Sequence, residues 1–260
     1  MQINNNMKSI LKKMAAVAVI FSVTSLSSSS IMQAQEGEKD VNFTVQGDLV
    51  SSYVWRGMYQ TSASFQPTFG LSIAGFSLTA WGSTDFTGVN ENSGLGAKEI
   101  DLTAAYTFGN TGLTLSVADL WWAGQGAGKY FNFKSHETAH HFEGAIAYSL
   151  PVAKFPLSIA WYTMFAGMDK NSHDEQAYST YVEMNYPFRV KMVDLNVTCG
   201  FTPWNAPQYL TNSFTVTNVA LKGTTAIKFS DSFSLPIFAQ AIWNPRLEDA
   251  HLVFGFTLKP

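Results

Sequence analysis

Charge is scarce in this chain. Asp, Glu, Lys and Arg make up 13% of its 260 residues, against about a quarter in soluble domains. That scarcity suits a protein whose outer band meets hydrocarbon. Cysteine is reduced to Cys199, which excludes an internal disulfide and, on an exported route, requires a hidden thiol. Long apolar runs are missing as well. The longest, Met14–Val23, is about half of the roughly 20 residues a membrane-spanning helix needs.

That short run has its own reading. Lys8, Lys12 and Lys13 flank it on the N-terminal side, and a Ser-rich stretch and Met32-Gln33-Ala34 follow. A basic segment, a short apolar core and a small residue before the cut mark an exported leader. Cleavage is expected after Ala34, with Met1 or Met7 as the start. Loss of those three Lys leaves 13 basic against 19 acidic residues, a net charge of −6. Nucleic-acid binding demands a basic face, so that class of partner is excluded.

What is present is alternation. In the first segment Val41, Phe43, Val45, Gly47, Leu49, Tyr53 and Trp55 share one phase, and Asn42, Thr44, Gln46, Asp48 and Arg56 the other. Successive side chains of a strand point to opposite faces. Twelve strands are predicted: 41–55, 66–74, 76–85, 98–108, 113–122, 138–149, 157–166, 177–187, 193–202, 214–229, 233–243 and 249–258. Their connections alternate in length. Ala74-Gly75, 109–112, 151–156, 188–192 and 230–232 are short. The stretches 56–65, 86–97, 123–137, 167–176, 203–213 and 244–248 are longer and richer in Gly, Asn and charge. Outer-membrane barrels combine short periplasmic turns with long extracellular loops.

The two phases differ in charge. One carries Ile100, Leu102, Trp161, Leu195, Val197, Cys199, Leu252 and Phe254, and its single acid is Asp119. A lipid-facing Lys or Arg costs roughly 2–4 kcal/mol at the bilayer midplane, so a face cleared of charge over twelve strands implies lipid. Trp55, Trp121, Trp122, Trp204 and Trp243 near the long loops, and Phe76, Phe108, Tyr148, Tyr186 and Phe229 near the short turns, read as two aromatic girdles. The expected architecture is an all-β, antiparallel transmembrane barrel over 41–260, preceded by a leader (1–34) and a polar lead-in (35–40).

The inward phase supplies the candidate pore lining: Asp48, Arg56, Trp81, Asp85, Glu99, Asp101, Trp122, His141, Glu143, Tyr162, Glu183, Asp194, Lys222, Lys228, Phe238, Gln240 and His251. Trp81, Leu120, Trp122, Tyr162, Met164, Phe238 and Ile242 are expected to narrow the passage near the long loops, either as a selective constriction or as plain filling. Arg56, at the outer end of the first strand, needs a carboxylate partner. Asp85 and Asp249 are the candidates, the alternative being a solvated charge at the rim.

The segment Ser51-Ser52-Tyr53-Val54-Trp55-Arg56-Gly57, followed by Ser64, Gln66-Pro67, Gly75-Phe76 and Ala80-Trp81-Gly82-Ser83, resembles the TorF porin family, exported proteins of Gram-negative bacteria. The resemblance covers about residues 48–86. It implies a barrel with channel activity and no settled substrate, and supplies no catalytic residues.

Other motifs are weaker. His136-Glu137-Thr138-Ala139-His140 has the H-E-x-x-H spacing that binds zinc on a helix. Here it leads into a strand, where residues four apart lie about 13 Å apart. A surface metal site from His136, His140, His141 or His173 is the fallback. Gly124 to Lys129 lacks the Ser or Thr of a phosphate loop. A lipid-modifying enzyme would need a Ser–His pair with an orienting acid. His251 and Asp48, neighbours if the last strand closes on the first, come without a clear nucleophile and read as a polar pair of the wall. The function expected is a narrow diffusion channel for small solutes, without cofactor, in contact with outer-membrane lipid and lipopolysaccharide. The alternative is an occluded barrel acting as a lipid-modifying enzyme or a structural protein.

Overall fold

The structure is a computed structural model that describes residues 41–86, 98–123, 129–152 and 155–260. The leader, the lead-in and the Gly124–Gly128 segment lie outside the described residues. The strands run β1 (Asn42–Val50), β2 (Tyr53–Trp55), β3 (Met58–Thr61), β4 (Ser64–Ile73), β5 (Phe76–Asp85), β6 (Lys98–Thr107), β7 (Leu113–Trp122), β8 (His140–Ser149) and β9 (Ser158–Gly167). They continue with β10 (Thr180–Val190), β11 (Val193–Thr202), β12 (Asn205–Ala206), β13 (Thr211–Asn212), β14 (Thr215–Lys228), β15 (Ser234–Asn244) and β16 (Asp249–Leu258). Twelve of them close into an antiparallel barrel. Strands β5, β7, β11 and β16 have the ranges read from the sequence.

Closure follows from pairing. Strand β1 lies between β4 and β16, with Gly47 opposite Leu258 and Val50 opposite Gly255. A closed barrel has no free sheet edge, so each wall strand finds partners on both sides. The outward phase is apolar and exposed: Phe43, Leu78, Val117, Ile146, Leu252 and Phe254 are among its residues. Cys199 is a free thiol on this phase, half-buried. Asp119 does lie on the outward face, but the ring of His140, at 2.6 Å, engages its carboxylate. Tyr130 and Phe133 pack on that imidazole, with centroids 5.1 and 4.3 Å away. The paired charge is thus shielded where the face meets the long loops.

One element departs from the sequence reading. The first strand ends at Val50, and residues 53–61 form a separate hairpin, β2–β3. Tyr53 and Trp55 are therefore neither outward-facing nor part of a girdle, since both are buried. The reason is local. Ser51-Ser52 breaks the alternation, and Tyr53-Val54-Trp55 is apolar on both phases, which a wall strand with one wet face cannot satisfy. Arg56 and Gly57 take φ of 50° and 84°, the two left-handed positions of a type I′ hairpin turn. Gly57 is also required by space, because a Cβ there would lie 2.1 Å from the Thr217 carbonyl oxygen.

The hairpin enters the barrel and is packed on both sides. Tyr53 and Trp55 join a cluster with Leu120, Trp122, Tyr162, Met164 and Tyr181. Val54 joins another with Val50, Ala220, Phe238, Ile242 and Val253. Period-two alternation thus divides one short strand between two halves of the wall. Residues 203–213 also turn inward rather than forming a purely external loop. Strands β12 and β13 flank a 3₁₀ turn, Pro207–Tyr209, that buries Tyr209 against the hairpin.

Candidate functional site

The site is the long-loop half of the lumen, and Arg56 is its centre. The I′ turn holds Arg56 at the tip of β2–β3, and the side chain is wholly buried. Its guanidinium donates two hydrogen bonds to Glu143 on β8, at 2.6 and 2.8 Å. It also donates to the Tyr209 hydroxyl. Aromatic faces surround it: Cζ lies 4.3 Å from the Tyr162 centroid, 4.6 Å from Trp55, 4.8 Å from Tyr181 and 5.8 Å from Tyr209. A planar fork suits bidentate carboxylate pairing and stacking at once. The partner is thus Glu143, across the lumen, and not Asp85 or Asp249. Asp249 instead lies 3.2 Å from His251, and Asp85 is buried at the rim opposite Ser64. A partner near the seam is expected only while Arg56 stays in the wall. Once the chain turns inward, the far wall comes within reach.

Further contacts fix the hairpin. Asn244 donates its amide to the Gly57 carbonyl at 3.1 Å. Trp55 stacks on Tyr209 at 5.5 Å and meets Trp122 edge-on at 5.5 Å. Tyr53 packs against Trp81 at 5.5 Å. Behind Arg56, Tyr181 donates its hydroxyl hydrogen to Glu183 at 2.8 Å and accepts from Asn218 at 3.1 Å. This bridge from β10 to β14 passes over Gly200, where a Cβ would lie 1.9 Å from the Tyr181 hydroxyl.

Two more carboxylates adjoin the plug from β6. Glu99 is opposite Trp122, and Asp101 opposite Leu120. Both are buried within the electrostatic reach of Arg56. Tyr53, Trp122 and Asp101 come within hydrogen-bonding reach of Glu99. Three acids therefore face one guanidinium. On the opposite wall Lys222 lies over the Phe238 ring at 4.4 Å, within the field of Asp48, and Gln240 is its cross-strand neighbour.

The remaining candidates are spread out. Asp48 accepts from Thr257 and is not paired with His251, which stacks near Tyr59. Register explains this: Asp48 is opposite Thr257, six residues along β16 from His251. Asp194 pairs with Arg189 at 3.2 Å. Lys228 is exposed beside the short turn, 2.6 Å from Asp231, and so lies at a mouth and not within the lumen. His141 meets Trp122 edge-on. His136 sits in a turn 3.5 Å from Asp174, and His140 is held by Asp119. Among the described residues no three His, Cys, Asp or Glu side chains are grouped to hold a metal ion.

In the loop after β9, Asp169 accepts from the Ser179 amide at 2.8 Å and from Gln176 at 3.2 Å. Burial raises its carboxyl above the ordinary value, while those hydrogen bonds favour the charged form. Sequence reasoning missed Tyr53, Trp55, Tyr181 and Tyr209. The available signal was the unalternating Tyr-Val-Trp triplet before Arg-Gly.

No family model and no curated protein matches this chain. Among solved structures it is similar to OmpF of Salmonella typhi in a complex with daunomycin. The identity is 8% and the TM-score 0.38, over 85% of this chain and 97% of that one. A likeness of that size adds nothing to the closed barrel described above.

Proposed function

We propose that this protein is an outer-membrane channel of narrow bore, related to the TorF porins, that passes small solutes and performs no chemistry. In this reading its resting lumen is closed by the 51–63 loop. The observation that carries the reading is what fills the lumen. The short-turn half of the wall is lined by small polar side chains, and in the long-loop half two loops attached at the rim pack onto larger wall side chains. A loop can leave without breaking the barrel's ladders. The face cleared of charge supports a lipid-facing outer surface; in this reading lipid and lipopolysaccharide surround the barrel and the long loops lie outside.

The lining predicts weak cation preference. Glu99, Asp101, Glu143 and Glu183 outnumber Arg56 and Lys222 on the buried wall, and charged linings favour counter-ions. The test is planar-bilayer conductance together with liposome swelling across solute sizes. Small, cation-preferring conductance and swelling with only the smallest solutes support the channel. No conductance from the wild type or from a variant with residues 53–59 replaced by a short Gly-Ser link overturns it. That result would favour a permanently occluded barrel, structural or lipid-modifying.

A further inference from the structure

We infer that the box holding Arg56 is a recognition site for solutes bearing a guanidinium or alkylammonium group, and that Arg56 occupies it as a tethered competitor. Glu143 stands on β8, Tyr162 on β9 and Tyr181 on β10, all part of the closed wall. Tyr209 comes from the second inturned loop. Of the groups around the guanidinium, only Trp55 travels with Arg56 on the hairpin. When the hairpin leaves, a carboxylate and three aromatic faces remain in place. That combination binds organic cations, because the charge meets both an anion and the negative faces of π-systems.

Three features make displacement by a solute possible. Arg56 is a non-glycine residue at φ 50°, a conformation that costs roughly 1 kcal/mol or more. The bound arrangement is therefore held by the contacts of its side chain and not by backbone preference. The hairpin is short, nine residues over Tyr53–Thr61, and forms a two-stranded sheet apart from the barrel ladder, with Asn244 bonded to the Gly57 carbonyl. Glu99 and Asp101 set two further buried carboxyl groups within reach of Arg56, beside the box. Once vacated, the Glu143 carboxylate and the aromatic faces around it favour a cation over an anion. The site thus ties opening of the lumen to the charge of the solute. The inference deepens the channel reading, but binding itself does not depend on conduction.

The test uses the full-length Arg56→Ala barrel, with methylguanidinium chloride as probe, sodium chloride at equal ionic strength as the salt control and acetamide as the neutral control. Methylguanidinium is expected to raise the lowered unfolding temperature of R56A saturably and to block the conductance that R56A gains. Neither control should do so, and R56A/E143Q should lose both effects. If R56A does not assemble, Arg56→Met keeps the stem packing and carries the same comparison. Absence of a saturable shift, or an equal shift in the E143Q double variant, overturns the site. If R56A conducts but methylguanidinium neither shifts nor blocks it, the site fails and the channel stands. If the shift is seen but no variant conducts, the site stands and the channel fails.

Discussion

The two halves of the lumen are built on opposite terms. Toward the short turns the inward positions are Ser72, Ser77, Thr79, Thr103, Thr107 and Thr114, short side chains that bond locally, as Thr107 does with Thr114 at 3.0 Å. Toward the long loops they are Trp122, Tyr162, Met164, Tyr181 and four acids, packed onto two inturned loops. The same contrast shows in two turns of one type. Ala74-Gly75, at φ 48° and 87°, ends a hairpin at the short-turn side; Arg56-Gly57, at 50° and 84°, ends one in the buried centre. Identical backbone chemistry makes a plain connection in one place and presents a guanidinium in the other. The difference lies in what surrounds the tip. Stability in the long-loop half comes from a desolvated ion pair and ring packing, and in the short-turn half from the wall alone.

The largest effect should follow from Glu143→Ala. Removing one member of a buried pair leaves an uncompensated charge and costs about 3–5 kcal/mol. Heat-modifiability on gels should show a clearly earlier transition, and Arg56→Leu/Glu143→Leu should recover much of the loss. If the double change is as damaging as E143A alone, the pair is not what holds the long-loop half.

Next comes a pair of adjacent residues on β7. Val117 is exposed on the outer face and Ser116 points into the short-turn lumen. Val117→Arg should cost about 2–4 kcal/mol and lower assembly into lipid vesicles. Ser116→Arg should assemble normally, since its charge can reach water. The reverse order would show that the faces are inverted.

Gly200→Ala sharpens the contrast within the plug. The added methyl meets the Tyr181 hydroxyl, and overpacking of this kind typically costs about 1–3 kcal/mol. The measured sign should be destabilisation together with increased conductance, as the Tyr181–Asn218 bridge loosens. Unchanged melting would mean that Tyr181 shifts freely and that the plug is looser than its packing implies.

The smallest effect is expected of Thr107→Ala, which removes one hydrogen bond in the short-turn half. A loss of about 1 kcal/mol or less, with conductance unchanged, would fit a half that stands on its ladders. An effect as large as that of E143A would abolish the distinction between the halves.

By itself the sequence determined the wall. Period-two alternation, the face cleared of charge and the alternation of short and long connections are local patterns. Each strand carries its own apolar and polar face, so twelve strands, their outward residues and the order of turns could be read without coordinates. The placement of Glu99, Asp101, Glu143 and Glu183 inward follows from the same rule. Only the tertiary structure decided what fills the barrel. Tyr53 and Trp55 continue the phase of β1, so alternation alone carries them outward along the wall. The chain leaves the wall at Ser51-Ser52 because a lumen of this width offers cover for both faces of Tyr53-Val54-Trp55. The partner of Arg56 lies 87 residues away and Tyr209 lies 153 away. No periodicity links such positions; closure of the sheet does, by setting β8, β9 and β10 opposite a hairpin that begins at β1.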